Sequence, residues 1–192
     1  PLEKMRLLLP EAKKNYAQAE PFPHIYFDDF FDNNVVERLL EEFPGENDID
    51  WIKYYDGYQK KLANENEQNI GLFSRHVLYS LNSALFLRFL EELTGITNLI
   101  SDSSFRGGGL HNIYRGGKLG VHVDFNKHDR YGLDRRLNLL LYLNKDWREE
   151  YGGHIELWDR EMKQCVRSYL PKFNRVVIFT TTSASFHGHP EP

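Results

Sequence analysis

Three residues of this chain can hold a metal ion together. His122 and Asp124 stand two positions apart in His122-Val123-Asp124, and His187 lies 63 positions beyond Asp124. Two imidazoles and a carboxylate are the donor set of the facial triad that binds non-haem Fe(II). Three protein ligands leave coordination positions open for O2 and a co-substrate. Side chains at i and i+2 of a β-strand project from one face, so a strand through His122 and Asp124 would aim both donors at one ion. The third donor then has to come from a neighbouring strand. His187 follows a strong strand candidate, and His189 competes with it in His187-Gly188-His189-Pro190. An H-x-D tripeptide alone also describes a hydrogen-bonded pair on a half-buried strand, so the distal His gives the pattern its weight.

Helices and then strands must position these groups. Residues 2–19, interrupted by Pro10, suggest helical pieces. Asn33 or Asn34 can cap a helix that runs to about Phe43 and ends at Pro44-Gly45. Residues 45–71 are polar and acidic and read as loop with short structure. From Asn82 to Thr94, Leu85, Leu87, Phe89, Leu90 and Leu93 give a helix its apolar face, and Gly95 offers the C-terminal cap. Beyond Gly107-Gly108-Gly109 the pattern changes to short strands over 110–114, 119–125, 136–144, 154–159 and 175–182. Helices followed by closely spaced strands imply an α+β domain with an antiparallel β core. In the 137–144 strand, period-two alternation puts Asn138, Leu140, Tyr142 and Asn144 on one face and Leu137, Leu139, Leu141 and Leu143 on the other. The leucine face suits a core between sheet and helices, and Tyr142 faces the opposite side.

The run Leu139-Leu140-Leu141-Tyr142-Leu143-Asn144-Lys145-Asp146-Trp147, then Gly152-Gly153-His154-Ile155-Glu156-Leu157, then Pro171-Lys172-Phe173-Asn174-Arg175-Val176-Val177-Ile178-Phe179, flanks the candidate ligands in order. With them, the chain from about Tyr114 onward resembles the prolyl 4-hydroxylase-like branch of the Fe(II)/2-oxoglutarate dioxygenases. Residues 23–31 resemble these enzymes' first strand more loosely. The resemblance implies a double-stranded β-helix (jelly roll) core buttressed by N-terminal helices. It implies one domain over 1–192, with 1–105 mostly helical support and 106–192 the β core. It implies His122, Asp124 and His187 as catalytic iron ligands, with Fe(II) as cofactor, 2-oxoglutarate as co-substrate and ascorbate as a supporting reductant. Tyr142 matches the tyrosine that contacts the distal carboxylate of 2-oxoglutarate. Tyr114 matches a tyrosine bordering the co-substrate, and Asn112, two positions earlier, is expected on the same face. The family continues into a strand whose basic residue pairs with that distal carboxylate; its counterpart is expected beyond residue 192, the C-terminal strands being missing from the sequence.

The reaction implied is hydroxylation of an unactivated C–H bond, with a prolyl residue of a protein as the substrate class. A free amino acid or other small metabolite is the alternative, and a metal-binding jelly roll without oxygenase chemistry is a rival of another class. Arg175 reads as a structural arginine at a strand entrance rather than a carboxylate clamp. Lys127, His128, Arg130, Arg135 and Arg136 gather in the loop after the H-x-D pair, as a basic rim or a solvated loop. Trp51, Tyr54, Tyr55 and Tyr58 could form substrate walls or packing surfaces.

Composition narrows the classes. The 192 residues are 41% hydrophobic and 27% charged, with a formal charge of −4, which suits a globular domain and argues against a nucleic-acid surface. Cys165 is alone, so no intrachain disulfide can form, and a reducing, cytoplasmic location is expected. No run approaches the length needed to cross a membrane. The oligomeric state is not legible.

Overall fold

The computed structural model describes residues 2–190. Four helices, α1 (Leu2–Ala17), α2 (Asn33–Glu41), α3 (Leu72–Leu81) and α4 (Ala84–Thr94), accompany ten strands. These are β1 (His24–Phe27), β2 (Ile52–Tyr55), β3 (Gln59–Asn64), β4 (Leu110–Asn112), β5 (Lys118–His122), β6 (Leu137–Leu141), β7 (Ile155–Trp158), β8 (Cys165–Tyr169), β9 (Val176–Thr180) and β10 (His187–His189). One sheet has the order β1-β9-β6. The other runs β2-β3-β5-β10-β7-β8, with β4 paired to β3, and all pairings are antiparallel.

The strand β9 organises both cores by alternation. Val176 and Ile178 pack with Met5, Ala12 and Tyr16 of α1 and Phe86, Phe89, Leu90 and Leu93 of α4. Val177 and Phe179 point the other way, onto Ile155 and Leu157 of β7. The alternation read in the next strand holds as well: Leu137, Leu139 and Leu141 join the helix-facing core, and Leu140 and Tyr142 join the layer between the sheets. All four β9 residues 176–179 are fully buried, so this strand lies between helices and the second sheet.

Four local features depart from the sequence reading. The helix α1 is continuous through Pro10, whose ring lies on the exposed side. The cap of α2 is Asp32 rather than either asparagine. Residues 52–64, in a stretch expected to be loop with short structure, form the β2–β3 hairpin, closed by Asp56, whose Oδ1 accepts from the amides of Tyr58 (2.7 Å) and Gln59 (2.8 Å). The helix α3 has no side-chain cap of its own. Its N-terminus is held by Glu42, which accepts from the amides of Phe73 (3.2 Å) and Ser74 (2.8 Å) and from Ser74 Oγ (2.9 Å). Three strands therefore join the helices within the first 105 residues.

Candidate metal centre

His122 closes β5, Asp124 follows in extended chain, and His187 opens β10 directly opposite His122. The register thus joins residues far apart in sequence. The donor atoms of the three side chains all lie within 4.8 Å of one another. Asp124 Oδ1 is 3.6 Å from His122 Nε2, and Asp124 Oδ2 is 3.7 Å from His187 Nε2. Donors each about 2.0–2.2 Å from one ion lie at most about 4.4 Å apart, so separations of 3.6 and 3.7 Å fit a shared first-row divalent metal.

The tautomers fit too. His122 Nδ1 donates to the Gly120 carbonyl and His187 Nδ1 to the Ser185 carbonyl, both at 2.9 Å. That bond places the proton on Nδ1 and leaves Nε2 free to ligate. Burial pushes the His187 pKa down to about 4, against the pull of Asp124. Burial opposes ionisation of Asp124, but neighbouring His122, the Arg135 guanidinium and His187 hold its carboxyl down at about 2. At neutral pH Asp124 and His187 are therefore in their ligating forms.

Two neighbours that the sequence did not single out fix Asp124. Asn138 donates from Nδ2 to Asp124 Oδ2 at 2.8 Å, and Arg135 Nη2 donates to Asn138 Oδ1 at 2.9 Å while standing 3.5 Å from Asp124 Oδ2. Asn138 shares the inward face of β6 with Leu140 and Tyr142, so alternation marked its direction but not its partner. Arg135 belonged to the supposed basic rim. It instead lies over the Phe125 ring and turns inward, while Lys127 is paired with Asp134 at 2.7 Å.

The other expected residues are placed as follows. Tyr142 packs between the sheets with Phe179, and Phe179 in turn contacts the His187 ring at 4.7 Å between centroids. Burial raises the Tyr142 pKa, and its hydroxyl has no hydrogen-bond partner among the described residues. Asn112 pairs with Leu62, whereas His111 pairs with Ala63 and so takes the opposite face of β4. Tyr114 sits in the turn beyond β4 with Lys60 Nζ 5.5 Å from its ring centre. His189 is two residues from His187 on β10 but is not part of the clustered donor set. Arg175 is structural: Nε and Nη2 grip Asp28 at 2.6 and 2.8 Å, and the guanidinium lies over Tyr26.

A jelly-roll core with two imidazoles and one carboxylate turned to one side defines the class of non-haem iron oxygenases. A model of the 2OG-Fe(II) oxygenase superfamily matches residues 108–192, and the fold is prolyl hydroxylase-like. It is 28% identical over 178 residues to prolyl 3-hydroxylase OGFOD1 of Xenopus laevis, covering 87% of this chain and 31% of that protein. It is 36% identical over 64 residues to prolyl 3-hydroxylase OGFOD1 of Mus musculus, covering 31% of this chain and 12% of that protein. The chain thus spans under a third of the length of these curated relatives. Among solved structures, it resembles a Trichoplax adhaerens prolyl hydroxylase in complex with a hypoxia inducible factor oxygen degradation domain peptide fragment, with TM-score 0.62 and 16% identity over 99% of this chain and 86% of that one. A prolyl 4-hydroxylase of Phytophthora capsici gives TM-score 0.63 and 23% identity over 97% and 60%. No helix among the described residues is long and apolar enough to cross a membrane.

Proposed function

We propose that this chain carries an Fe(II)- and 2-oxoglutarate-dependent hydroxylase activity toward a prolyl residue of a protein. The observation that carries the reading is the convergence of His122, Asp124 and His187, with both Nε2 atoms freed by hydrogen bonds at Nδ1. The prolyl hydroxylase names of the curated relatives support the substrate class.

The residues divide the work. His122, Asp124 and His187 hold the metal on one side. Asn138 and Arg135 keep Asp124 from rotating away. Tyr142 offers its hydroxyl to the distal carboxylate of 2-oxoglutarate, and Phe179 shields His187 from water. When bound, Fe(II) and 2-oxoglutarate supply the oxidising power: one atom of O2 enters a C–H bond as hydroxyl and the other enters succinate, with loss of CO2. The protein's own share is to orient the reactants and exclude solvent.

The test is succinate formation from 2-oxoglutarate by the iron-loaded protein, with ascorbate, O2 and a proline-containing protein substrate or peptide library, read beside mass spectrometry for a gain of one oxygen. O2-dependent succinate together with hydroxyproline is expected. A protein that binds metal but never consumes 2-oxoglutarate with any such substrate would leave a metal-binding jelly roll instead.

A further inference from the structure

Strand β5 reaches His122 through a bulge, and a side chain from another strand pair holds that bulge. His187 pairs with His122 but His189 pairs with Leu119, so three steps along β5 are matched by two along β10. The extra residue lies in Gly120-Val121, directly before His122. A bulge re-aims the side chain beside it and leaves backbone groups that a regular ladder does not serve.

Tyr58, in the turn between β2 and β3, serves them. The Gly120 amide donates to the Tyr58 carbonyl at 2.9 Å. The Tyr58 hydroxyl donates to the Val121 carbonyl. The Tyr58 ring lies against Gly120, where an added Cβ would stand 2.7 Å from it. Strand β10 also comes close, since a Cβ at Gly188 would stand 2.8 Å from the Gly120 carbonyl oxygen. Neither glycine has a positive φ, so both are there for close approach.

What this clamp fixes is a carbonyl. Tyr58 holds the peptide planes on either side of the one between Gly120 and Val121, and that middle plane carries the Gly120 oxygen. His122 Nδ1 donates to the same oxygen at 2.9 Å. A plane free to turn would take the carbonyl away from Nδ1, and the imidazole proton could then move to Nε2, which can no longer ligate. Tyr58 is 52% exposed and belongs to neither core, so its loss empties neither.

We propose that Tyr58 is a positioning residue for the metal centre, selecting the ligating tautomer of His122 through the bulge at Gly120 and Val121. The inference rests on the metal-centre reading above.

The experiment uses the full chain with isotope-labelled histidine. Proton–nitrogen spectra of the metal-free protein, under mildly alkaline conditions where an imidazole is ordinarily neutral, read which nitrogen of His122 carries the proton. His122→Gln assigns the signal, and calorimetry with Mn(II) reads metal affinity. Wild type is expected to carry the proton on Nδ1. Tyr58→Ala should populate the Nε2–H form and lose about tenfold in Mn(II) affinity, the lower end of what ligand-orienting partners contribute. Tyr58→Phe keeps the ring and loses one hydrogen bond, so it should retain the tautomer and lose about threefold. Gly120→Ala puts a methyl where the ring lies and should shift the tautomer as Tyr58→Ala does, which serves should the latter fold poorly. The two changes together should be no worse than either alone, because they break one contact. A wild type with its His122 proton on Nε2 would overturn the proposal. So would a Tyr58→Ala chain with the wild-type tautomer or the wild-type Mn(II) affinity, even if its melt falls, since a merely structural role moves the melt alone. A wild-type chain that takes up no Mn(II) overturns the metal-centre reading and the role of Tyr58 with it, and the wild-type titration shows this before any variant is compared.

Discussion

Asp124 is the proposed ligand whose position depends most on its neighbours, because it lies beyond the end of β5 and its carboxylate is steered by Asn138 and Arg135. Asn138→Ala should cut Mn(II) affinity about tenfold, the scale of lost ligand-orienting bonds, while the melt changes by about 1 kcal/mol. Equal affinity of variant and wild type would show that Asp124 needs no such support. Asp124→Ala itself should abolish succinate formation and leave the metal-free fold intact, since no large apolar group is removed. Tyr142→Phe should weaken 2-oxoglutarate about 10- to 100-fold by removing one charge-assisted hydrogen bond. Mn(II) binding should be untouched, and a calorimetric titration separates the two. The clustering of His122, Asp124 and His187 was legible because strand periodicity gives a two-residue spacing a direction. Arg135 was not, because the charge of a loop residue says nothing about which way it turns.

At the level of elements, what could be read was whatever stored its signal locally. Both β6 and β9 carry strict alternation or continuous apolar runs, and α4 carries its own cap at Ser83 and a left-handed Gly95 at φ 73°. The helix α3 carries no such signal. Its cap is Glu42, 31 positions before Phe73, so its start cannot be seen in its own sequence. Glu42→Ala is expected to destabilise the chain by about 1 kcal/mol, as the loss of an N-cap does, with the change visible in a chemical denaturation midpoint. A midpoint equal to wild type would mean that water replaces the carboxylate without loss. The β2–β3 hairpin was hidden for another reason. Its exposed face carries Tyr55 and its inward face a lysine, so polarity suggested loop. Strand β8 lies at a sheet edge and is largely exposed, which removes the apolar alternation that would have announced it.

For the molecule as a whole, β1 and the residue that follows it carry two of the groups that make stability depend on pH. His24 is buried, with Nδ1 bonded to the Phe22 carbonyl at 2.8 Å and Nε2 to the Tyr169 hydroxyl at 2.6 Å. Burial lowers its pKa below 6.5, against the pull of that carbonyl. The unfolded imidazole takes up its proton first as pH falls, so this contribution is complete above about 6.5 and is lost as pH drops toward the folded value. Asp28 follows β1, and the Arg175 hydrogen bonds hold its carboxyl below 3.8. Its contribution is present above 3.8 and lost as pH falls through the lower folded value. Melts of the metal-free protein should therefore weaken in two stages on acidification. Asp28→Asn should cost about 1 kcal/mol at neutral pH, since this carboxylate is half exposed, and should flatten the more acidic stage. His24→Gln should remove its share of the milder one. Melts unaltered across both windows would contradict the assignments.

Strand β10 is the last of the described strands in chain order, yet it sits at the middle of its sheet, and β5 and β7 touch only through it. Until it arrives, that sheet is two unconnected pieces, one ending at β5 with His122 and the other made of β7 and β8. Its insertion joins the pieces and delivers His187 in the same act. During synthesis the chain therefore passes through no stage with a finished sheet and an open-ended ligand set. Capture of the proposed metal would wait for assembly, and a partly made chain would offer iron at most the His122 and Asp124 pair, without the third grip that would hold it.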